Sequence, residues 1–281
     1  MKTRRFLFVL FATTLLLGCS KGENIVPIMD NNFFTGFYHP ENRVQSATVA
    51  SHIVGVECGD QEIPDRPAVL FHWSKEHLDS VIHYTDEATP VTIRYQYDGQ
   101  GRLVRVERDA TYGNTCTLQY EGKHLVSITQ NVGGWSLEHS FTYTDSDYPS
   151  AYIEHCESQY VEYTDTYSLR WRDGNLVSAV CGPENDSYTL DSITYSYDTR
   201  VNPFCGFFFP NALREFGIVH APTFISRNNP VSITYHTESG PVQNLYYSLS
   251  YQFDNGVMQR AVRDYDNMFW CHITDTYTFH Y

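Results

Sequence analysis

Cys19 is the residue whose position best predicts its chemistry. It follows a segment with three cations within residues 1–5 and then a predominantly apolar run over residues 6–17. That run is too short for a transmembrane helix, which takes about 20 residues, but it has the length of the apolar region of an export signal. We therefore expect residues 1–18 to direct export and then to be removed.

The residues Leu16-Leu17-Gly18-Cys19 resemble the lipobox of bacterial lipoproteins, in which the cysteine is lipidated and becomes the new N-terminus. The resemblance implies that Cys19 anchors the protein to a membrane of the bacterial cell envelope. Ser20 at the next position favours the outer membrane by the sorting rules of such lipoproteins, with the periplasmic and surface leaflets both open. An ordinary signal peptide with a chance cysteine is the alternative.

Cysteine and histidine elsewhere in the chain show no motif. The further cysteines are Cys58, Cys116, Cys156, Cys181, Cys205 and Cys271. Outside the cytoplasm they can form disulfides, while buried free thiols fit their spacing equally well. None forms a Cys-x-x-Cys pair, and the 12 histidines lack the spacing of a metal site. We expect no metal and no cofactor.

Charge and motifs exclude several function classes. The chain has 33 acidic and 19 basic side chains, for a formal net charge of −14, so it lacks the clustered cations that nucleic acid binding requires. It contains no Gly-x-Ser-x-Gly elbow and no phosphate-binding loop. Paired carboxylates for glycoside hydrolysis stay open, because the fold and not the sequence sets their separation.

A repeated pattern runs through most of the chain: an aromatic residue, a turn, and apolar residues five and eight positions after the aromatic. The copies are Trp73…Leu78…Val81, Tyr120…Leu125…Ile128, Tyr143…Tyr148…Ala151, Trp171…Leu176…Ala179 and Phe253…Met258…Ala261, with Tyr97…Leu103…Val106 one residue longer. Successive aromatic positions from Trp73 to Tyr197 are 23 to 28 residues apart. A fixed period in this range indicates a repeat architecture.

Each repeat has the pattern of a β-hairpin. Apolar and polar residues alternate before the turn, as in Ile93-Arg94-Tyr95-Gln96-Tyr97, which predicts a half-buried strand. Pairs such as Asp173-Gly174 and Asn255-Gly256 tolerate the positive φ of a tight hairpin. The sequence predicts an all-β antiparallel meander of repeated hairpins that forms a curved or rolled sheet. We assign residues 19–35 to a flexible tether and residues 36–281 to this single domain.

The segment Tyr95-Gln96-Tyr97-Asp98-Gly99-Gln100-Gly101-Arg102-Leu103 resembles the tyrosine–aspartate (YD) repeat of Rhs and toxin-shell proteins, with the pattern Tyr-x-Tyr-Asp-x-x-Gly-Arg-Leu. Other copies are degenerate, although Tyr197-Asp198 and Phe253-Asp254 keep the pair. Together with the lipobox, this pattern resembles uncharacterised Bacteroidetes lipoproteins with a YD-like domain of unknown function. The resemblance implies an all-β fold in the cell envelope and supplies no catalytic residues.

Residues 199–229 interrupt the repeat with a cluster of phenylalanines. Asn211 and Gly217 have the residue types that begin and end a short helix, so we expect a short helical insertion near residues 210–217. Because several phenylalanines are costly to expose to water, the insertion is expected to plug an open end or face of the sheet.

The aromatic residues admit two interpretations. The chain has 22 Tyr, 17 Phe and 4 Trp, and those at the buried parity of strands are expected to pack as cross-strand pairs. A second interpretation is that some rings stack on sugars, and the candidates for such stacking are Tyr97, Tyr120, Trp171 and Tyr197.

These observations predict a non-enzymatic lipoprotein of the outer membrane. Its expected role is binding or assembly, with a polysaccharide or an envelope protein as partner and the membrane contacted by the lipid anchor. One alternative is an enzyme that acts on glycans outside the cytoplasm. Another is a transmembrane β-barrel, which the alternating strands and the aromatic C-terminus resemble, although the alternation covers fewer residues than the 9–11 that a spanning strand requires.

Overall fold

Every strand of the described chain belongs to one antiparallel sheet. The computed structural model describes residues 43–55, 58–74, 77–84, 90–109, 114–183, 190–204, 219, 225–237, 240–241, 247–266 and 271–281. The strands are β1 (Ser46–Gly55), β2 (Gly59–Trp73), β3 (Leu78–His83), β4 (Val91–Tyr97), β5 (Leu103–Asp109), β6 (Asn114–Glu121), β7 (His124–Val132), β8 (Trp135–Thr142), β9 (Ala151–Glu157), β10 (Glu162–Arg172), β11 (Asn175–Cys181), β12 (Leu190–Val201), β13 (Asn228–Thr237), β14 (Gly240–Pro241), β15 (Tyr247–Asp254), β16 (Val257–Asp266) and β17 (Cys271–His280). The predicted all-β fold is confirmed.

The first and last strands of the meander meet. β1 pairs with β2 on one side and with β17 on the other, the latter from Ser46↔His280 to Gly55↔Cys271. The shortest link is between β13 and β15, where Ser232↔Ser248 is the pair found among the described residues. The sheet is therefore rolled into a nearly closed form, as the sequence predicted.

The rolled sheet has two ends, because consecutive antiparallel strands connect alternately at one end and the other. The end at which β1 begins also holds the turns after β4, β6 and β10, and we call it the ring end. The opposite end holds the β1–β2 connection and the turns after β7 and β9, and we call it the distal end.

Alternation along each strand separates an inner face from an outer face. In β4, for example, Val91, Ile93 and Tyr95 are buried, while Arg94 and Gln96 are exposed. Since successive side chains of a strand point to opposite faces, the inner face is largely apolar and the outer face is polar.

The apolar positions of the repeat form the core of the rolled sheet. In five of the six copies both residues are buried in one cluster: Leu78, Val81, Leu103, Val106, Leu125, Ile128, Leu176, Ala179, Met258 and Ala261. The Tyr143 copy departs from this, because Tyr148 and Ala151 are only half-buried and Tyr148 stacks on Trp171 instead.

Several turns have the conformation that their sequences predicted. Asp173-Gly174 and Asn255-Gly256 have positive φ at both residues, 52° and 79° in the first and 50° and 81° in the second. Gly133-Gly134 has the same form. Two successive residues with positive φ match the right-handed twist of the flanking strands, so these hairpins can be joined by two residues.

The described part of the 199–229 insertion reaches the core at the ring end. Val219 and Ile225 are buried, and the Tyr195 hydroxyl donates to the Val219 carbonyl at 2.5 Å. The ring of Phe204 lies 5.2 Å from that of Phe279. These contacts support the predicted plug. The helix expected near residues 210–217 lies outside the described residues.

The part of the chain that is described contains no helix long and apolar enough to cross a membrane.

A disulfide joins the β1–β2 connection to the last strand of the sheet. Cys58, in the β1–β2 connection, is bonded to Cys271 at the start of β17, and 213 positions separate them. Cys116 and Cys156 are instead buried thiols. The two alternatives left open by the sequence therefore both occur, while Cys205 lies outside the described residues.

We expect Cys58→Ser to lower the free energy of unfolding by about 2–4 kcal/mol, because the disulfide restricts a long loop of the unfolded chain. Urea denaturation of the full chain with and without reductant measures this loss. Reductant added to the Cys58→Ser variant is the control and should cause little further loss. If reductant lowered the stability of the variant as much as that of the unmodified chain, the disulfide would not be the source of the stabilisation.

Candidate functional site

Aromatic side chains at the ring end form a hydrogen-bonded series that we call the aromatic ladder. Each ring donates from its hydroxyl or indole N–H to a backbone carbonyl of an earlier strand or turn. The bonds run from Trp73 to Val44 (2.9 Å), Tyr97 to Leu78 (3.1 Å), Tyr120 to Leu103 (2.9 Å), Tyr143 to Leu125 (2.9 Å), Trp171 to Pro149 (2.8 Å), Tyr197 to Leu176 (2.6 Å), Tyr251 to Pro230 (2.8 Å) and Tyr281 to Met258 (2.7 Å).

Many of the acceptors are the first apolar residue of the preceding repeat, so the ladder connects one repeat to the next. A buried carbonyl without a donor costs about 1–3 kcal/mol, and these aromatic donors satisfy carbonyls next to the turns. Burial raises the pKa of the Tyr97 and Tyr120 hydroxyls, so both remain protonated donors at neutral pH. The ladder is therefore a structural feature of the repeat.

A second layer of side chains covers the ladder rings from the adjacent hairpin. The imidazoles of His77 and His124 stack on Tyr97 and Tyr143, with ring centroids 4.4 Å and 4.3 Å apart. Other ladder rings are covered by guanidinium groups, as with Arg43 over Trp73 at 5.1 Å. A cation or a flat ring over an aromatic face adds attraction beyond apolar burial.

The YD-like segment shows how such a layer is built. Asp98 accepts hydrogen bonds from the amides of Gln100 and Arg102 at 2.8 Å and 3.0 Å and from Arg102 Nε at 2.7 Å. The same guanidinium donates to the Gly122 carbonyl at 2.5 Å and lies 4.8 Å from the Tyr120 ring centroid. Asp98 and Arg102 thus close one hairpin and hold the next, which gives the motif a structural role.

The four candidate sugar-stacking residues all belong to the ladder. Tyr97, Tyr120 and Trp171 each have one ring face against His77, Arg102 or Tyr148, with centroids or charge centres within 5 Å. Tyr197 donates to the Leu176 carbonyl and lies 2.9 Å from the Ser226 hydroxyl. The structure gives all four a packing role, and sugar stacking by them stays a prediction. Cys19, the predicted lipid attachment residue, lies outside the described residues.

A polar cluster lies on the inner face of β8, β9 and β10. The Tyr152 hydroxyl is 2.7 Å from His139 Nδ1 and 2.6 Å from Glu154 Oε2, so it connects the imidazole to the carboxyl group. Tyr163 donates to the other carboxyl oxygen of Glu154 at 3.0 Å. Asp165 is the direct cross-strand neighbour of Glu154. We call these five residues the inner polar cluster.

Burial controls the proton affinities in this cluster. It lowers the pKa of His139 to about 3, so that the imidazole is neutral at ordinary pH. Burial also raises the pKa of Glu154, and the charge of Asp165 adds to that rise while hydrogen bonds from Tyr152 and Tyr163 oppose it. His139 Nε2 has no hydrogen-bond partner although the residue is 0% exposed.

A smaller polar group lies on the strands that close the sheet, far from the inner polar cluster. Asp275 accepts from the Ser51 hydroxyl at 2.7 Å and from an Arg263 guanidinium nitrogen at 2.9 Å. Arg263 also lies 4.2 Å from the centroid of Tyr265. Because β1, β16 and β17 supply these side chains, the group links both strands that close the sheet.

The inner polar cluster connects an imidazole to carboxyl groups, but these groups are buried. Its imidazole and carboxyl groups converge as a hydrolase requires, yet His139 is fully buried and Asp165 is 5% exposed. Catalytic groups must reach a substrate, and here Tyr152 occupies the space between the acid and the base. Among the described residues, no three His, Cys, Asp or Glu side chains form a group that could hold a metal ion.

Several exposed apolar side chains lie at the distal end. Tyr160 and Val161 belong to the β9–β10 turn, where Tyr160 is 81% exposed. Val54, near the end of β1, and Tyr84, after β3, are exposed at the same end but on strands far from β9 and β10 in the sheet. The Ser158 hydroxyl accepts from the amides of Tyr160 and Val161 at 3.2 Å and 3.0 Å, which orders this turn. We call Val54, Tyr84, Tyr160 and Val161 the distal rim.

The sequence analysis missed both the inner polar cluster and the distal rim. Polar residues at buried parity, such as His139 and Glu154, were the available signal. They were difficult to recognise because the turn between β9 and β10 contains no glycine and so did not stand out as a hairpin of the repeat. The sequence could not predict the exposure of Tyr160, because that exposure depends on the direction in which the β9–β10 turn projects from the sheet.

We expect Arg102→Ala to lower the free energy of unfolding by about 2 kcal/mol, because it removes bonds to Asp98 and Gly122 and uncovers Tyr120. Arg105→Ala is the matched control, since Arg105 forms an ion pair with Glu107 on the outer face and its loss should cost about 0.5 kcal/mol or less. Chemical denaturation measures both values. Equal losses would show that Arg102 does not connect two repeats.

Comparison with known proteins identifies no family. No protein family and no curated protein matches the sequence. Among solved structures, a porin-like protein from Bacteroides uniformis is 14% identical, with 85% of this chain and 98% of the other covered and a TM-score of 0.36. A porin-like protein from Bacteroides vulgatus is 9% identical, with the same coverage of both chains and a TM-score of 0.41. At these TM-scores the superpositions are loose, and we draw no conclusion from them.

Proposed function

We propose that this chain is an envelope lipoprotein with a non-catalytic binding role, and that it contacts its partner through the distal rim. The single observation that carries the proposal is the exposure of apolar side chains at the distal end, above all Tyr160 and Val161 of the β9–β10 turn. Tyr160, the most exposed of them, is held outward by an ordered turn. Exposed aromatic residues on an ordered scaffold are typical of binding surfaces.

The direction of the chain supports this placement. Val44 leads into β1 at the ring end, where its carbonyl accepts from Trp73. A lipid anchor at Cys19 therefore precedes the ring end in the sequence, and the distal end is opposite the point where the chain enters the sheet. The distal rim is thus at the end from which a partner can approach without meeting the anchor.

A polysaccharide and an envelope protein are both suitable partners. Tyrosine rings offer an apolar face for stacking and a hydroxyl for hydrogen bonding, which suits sugars and protein interfaces alike. The formal charge of −14 disfavours nucleic acid as a partner.

The enzyme alternative is supported by one observation, the meeting of His139, Glu154 and Asp165 on the inner face. Their burial argues against it, because a glycan would have to displace Tyr152 to reach them. We therefore keep glycan hydrolysis as the weaker proposal.

A transmembrane β-barrel is the other alternative, and the near closure of the sheet is the observation that favours it. Its outer face does not suit lipid. Arg94, Glu138 and Arg170 point outward from three different strands and are exposed. Charged side chains on a lipid face are destabilising, so the polar outer face favours the lipoprotein proposal.

We expect Cys19→Ala to abolish incorporation of a labelled fatty acid and to release the chain from the membrane fraction without detergent, because the lipid would be its only anchor. Ser20→Ala is the control and should leave lipidation intact. A Cys19→Ala chain that still requires detergent for extraction would support the transmembrane alternative.

We expect Tyr160→Ala to weaken binding by about tenfold, the loss of about 1.4 kcal/mol that an aromatic contact can supply. Affinity electrophoresis of the full chain in gels containing peptidoglycan, lipopolysaccharide or plant glucans measures retention, and cross-linking in cells detects a protein partner. Ile153→Ala is the control, since Ile153 is an exposed apolar residue on the outer face of the same hairpin, away from its turn. Equal effects of the two variants would argue against the distal rim.

A further inference from the structure

An arginine points to the inner face of the sheet near the distal end. Arg108, in the last turn-facing part of β5, lies between Ile93 of β4 and Asn114 of β6, and both of these neighbours are buried. Arg108 shares their face and is half-buried there. Arginine is seldom placed on an inner face without a compensating partner, so its surroundings indicate what it binds.

The nearest carboxylates along the chain do not neutralise Arg108. Glu107 and Asp109 point to the outer face, where they are bonded to Arg105 at 2.7 Å and to Arg94 at 3.2 Å. Among the described residues, no hydrogen bond or ion pair includes the Arg108 guanidinium. The inner face therefore carries a positive charge that a bound anion can pair with.

A second donor without an acceptor lies directly beside Arg108. Asn114 is 2% exposed, and its Oδ1 accepts from Nε2 of Gln130 at 3.1 Å. That bond leaves the amide nitrogen, Nδ2, for another acceptor, and Nδ2 has none among the described residues. Because an unpaired buried donor is costly, an acceptor supplied by a ligand would stabilise this position.

His83, at the end of β3, adds a polar group to the same region. It pairs in register with Val91 of β4, which is buried on the inner face. Burial lowers the pKa of His83, and the nearby charge of Arg108 lowers it further, so the imidazole is neutral at neutral pH. A neutral imidazole can donate from one nitrogen and accept at the other.

Trp135 completes the row on the other side of Asn114. The register runs from Arg108 to Asn114, from Asn114 to Val132 and from Val132 to Trp135, across β5, β6, β7 and β8. Trp135 has the parity of the buried Leu137 and is itself half-buried, so part of the indole stays accessible on the inner side. An indole offers a large apolar face and one N–H donor, which suits a sugar ring.

We infer that the inner face at the distal end holds a binding site for a carboxylated sugar: Arg108 and Nδ2 of Asn114 bind the carboxylate, and Trp135 contacts the apolar face of the ring. A guanidinium can bind a carboxylate through two parallel hydrogen bonds, which gives this pairing its specificity. The site is on the inner face of β5, β6 and β8, so the inference does not rest on the proposed contact through Tyr160. It gives a polysaccharide partner a chemical class, an acidic glycan.

Titration of the full chain with galacturonate and glucuronate, followed by ligand-observed NMR, tests the site. Galactose and glucose are the matched neutral probes, since each has a hydroxymethyl group where its acid has the carboxylate. The acids should bind at least about tenfold more tightly, because the neutral sugars cannot form charge-assisted bonds to Arg108. Inorganic sulfate should bind more weakly than galacturonate, because it has no ring to contact Trp135.

Variants assign the binding to the named residues. Arg108→Gln should lower the affinity for galacturonate by about tenfold or more and leave that for galactose unchanged. Asn114→Asp provides within the protein the acceptor that Arg108 lacks, so it should abolish galacturonate binding without lowering the midpoint of urea denaturation. Trp135→Leu should weaken the binding of both sugars. Arg94→Gln is the matched control, since Arg94 is on the neighbouring strand and the outer face, and it should bind like the unmodified chain.

The inference is overturned if neither uronate binds, if the acid and neutral sugars bind equally, or if Arg108→Gln and Arg94→Gln have the same effect. Sulfate that binds as tightly as galacturonate would overturn the assignment to a sugar. Tyr160→Ala should leave galacturonate binding intact. Failure of the Tyr160 binding test with galacturonate binding intact would overturn only the proposed contact at the distal rim.

Discussion

A β-hairpin cannot bury its apolar face alone, and the rest of this structure follows from that constraint. Each repeat places two apolar residues under its turn, and only the neighbouring repeats can cover them. The ring of the next repeat does so while its hydroxyl or indole N–H satisfies a backbone carbonyl, as Tyr120 does at Leu103. Covering the final strand in turn requires the first, and β1 and β17 meet for this reason.

The aromatic ladder shows how a degenerate repeat keeps one geometry. Arg102, His77 and His124 are chemically different, yet each places a flat or cationic group over the ring of the following repeat. The shared requirement is a group that tolerates both an aromatic face and water. Strict repetition of the YD motif is therefore unnecessary, and the copies can diverge while the sheet remains continuous.

The inner face changes character along the strands. Near the ring end it is apolar, and Val219 and Ile225 of the insertion lie in the core. Towards β8, β9 and β10 it carries buried hydrogen-bonding groups such as His139 and Glu154. A buried polar network is stable only where its members satisfy one another, and Tyr152 fulfils that role here. The inner face therefore combines an apolar region with a buried hydrogen-bonding network.

The amino-acid sequence alone determined the fold class, the tight turns and the residues of the core. These follow from alternation, Asp-Gly and Asn-Gly pairs and a regular repeat, all of which are local properties of the chain. Only the tertiary structure decided that Tyr97 and Trp171 are ladder rings, that Cys58 bonds Cys271, and that Glu154 faces Asp165 below Tyr160. Those relations join residues of different strands, and the register and closure of the sheet set them, which no local pattern specifies.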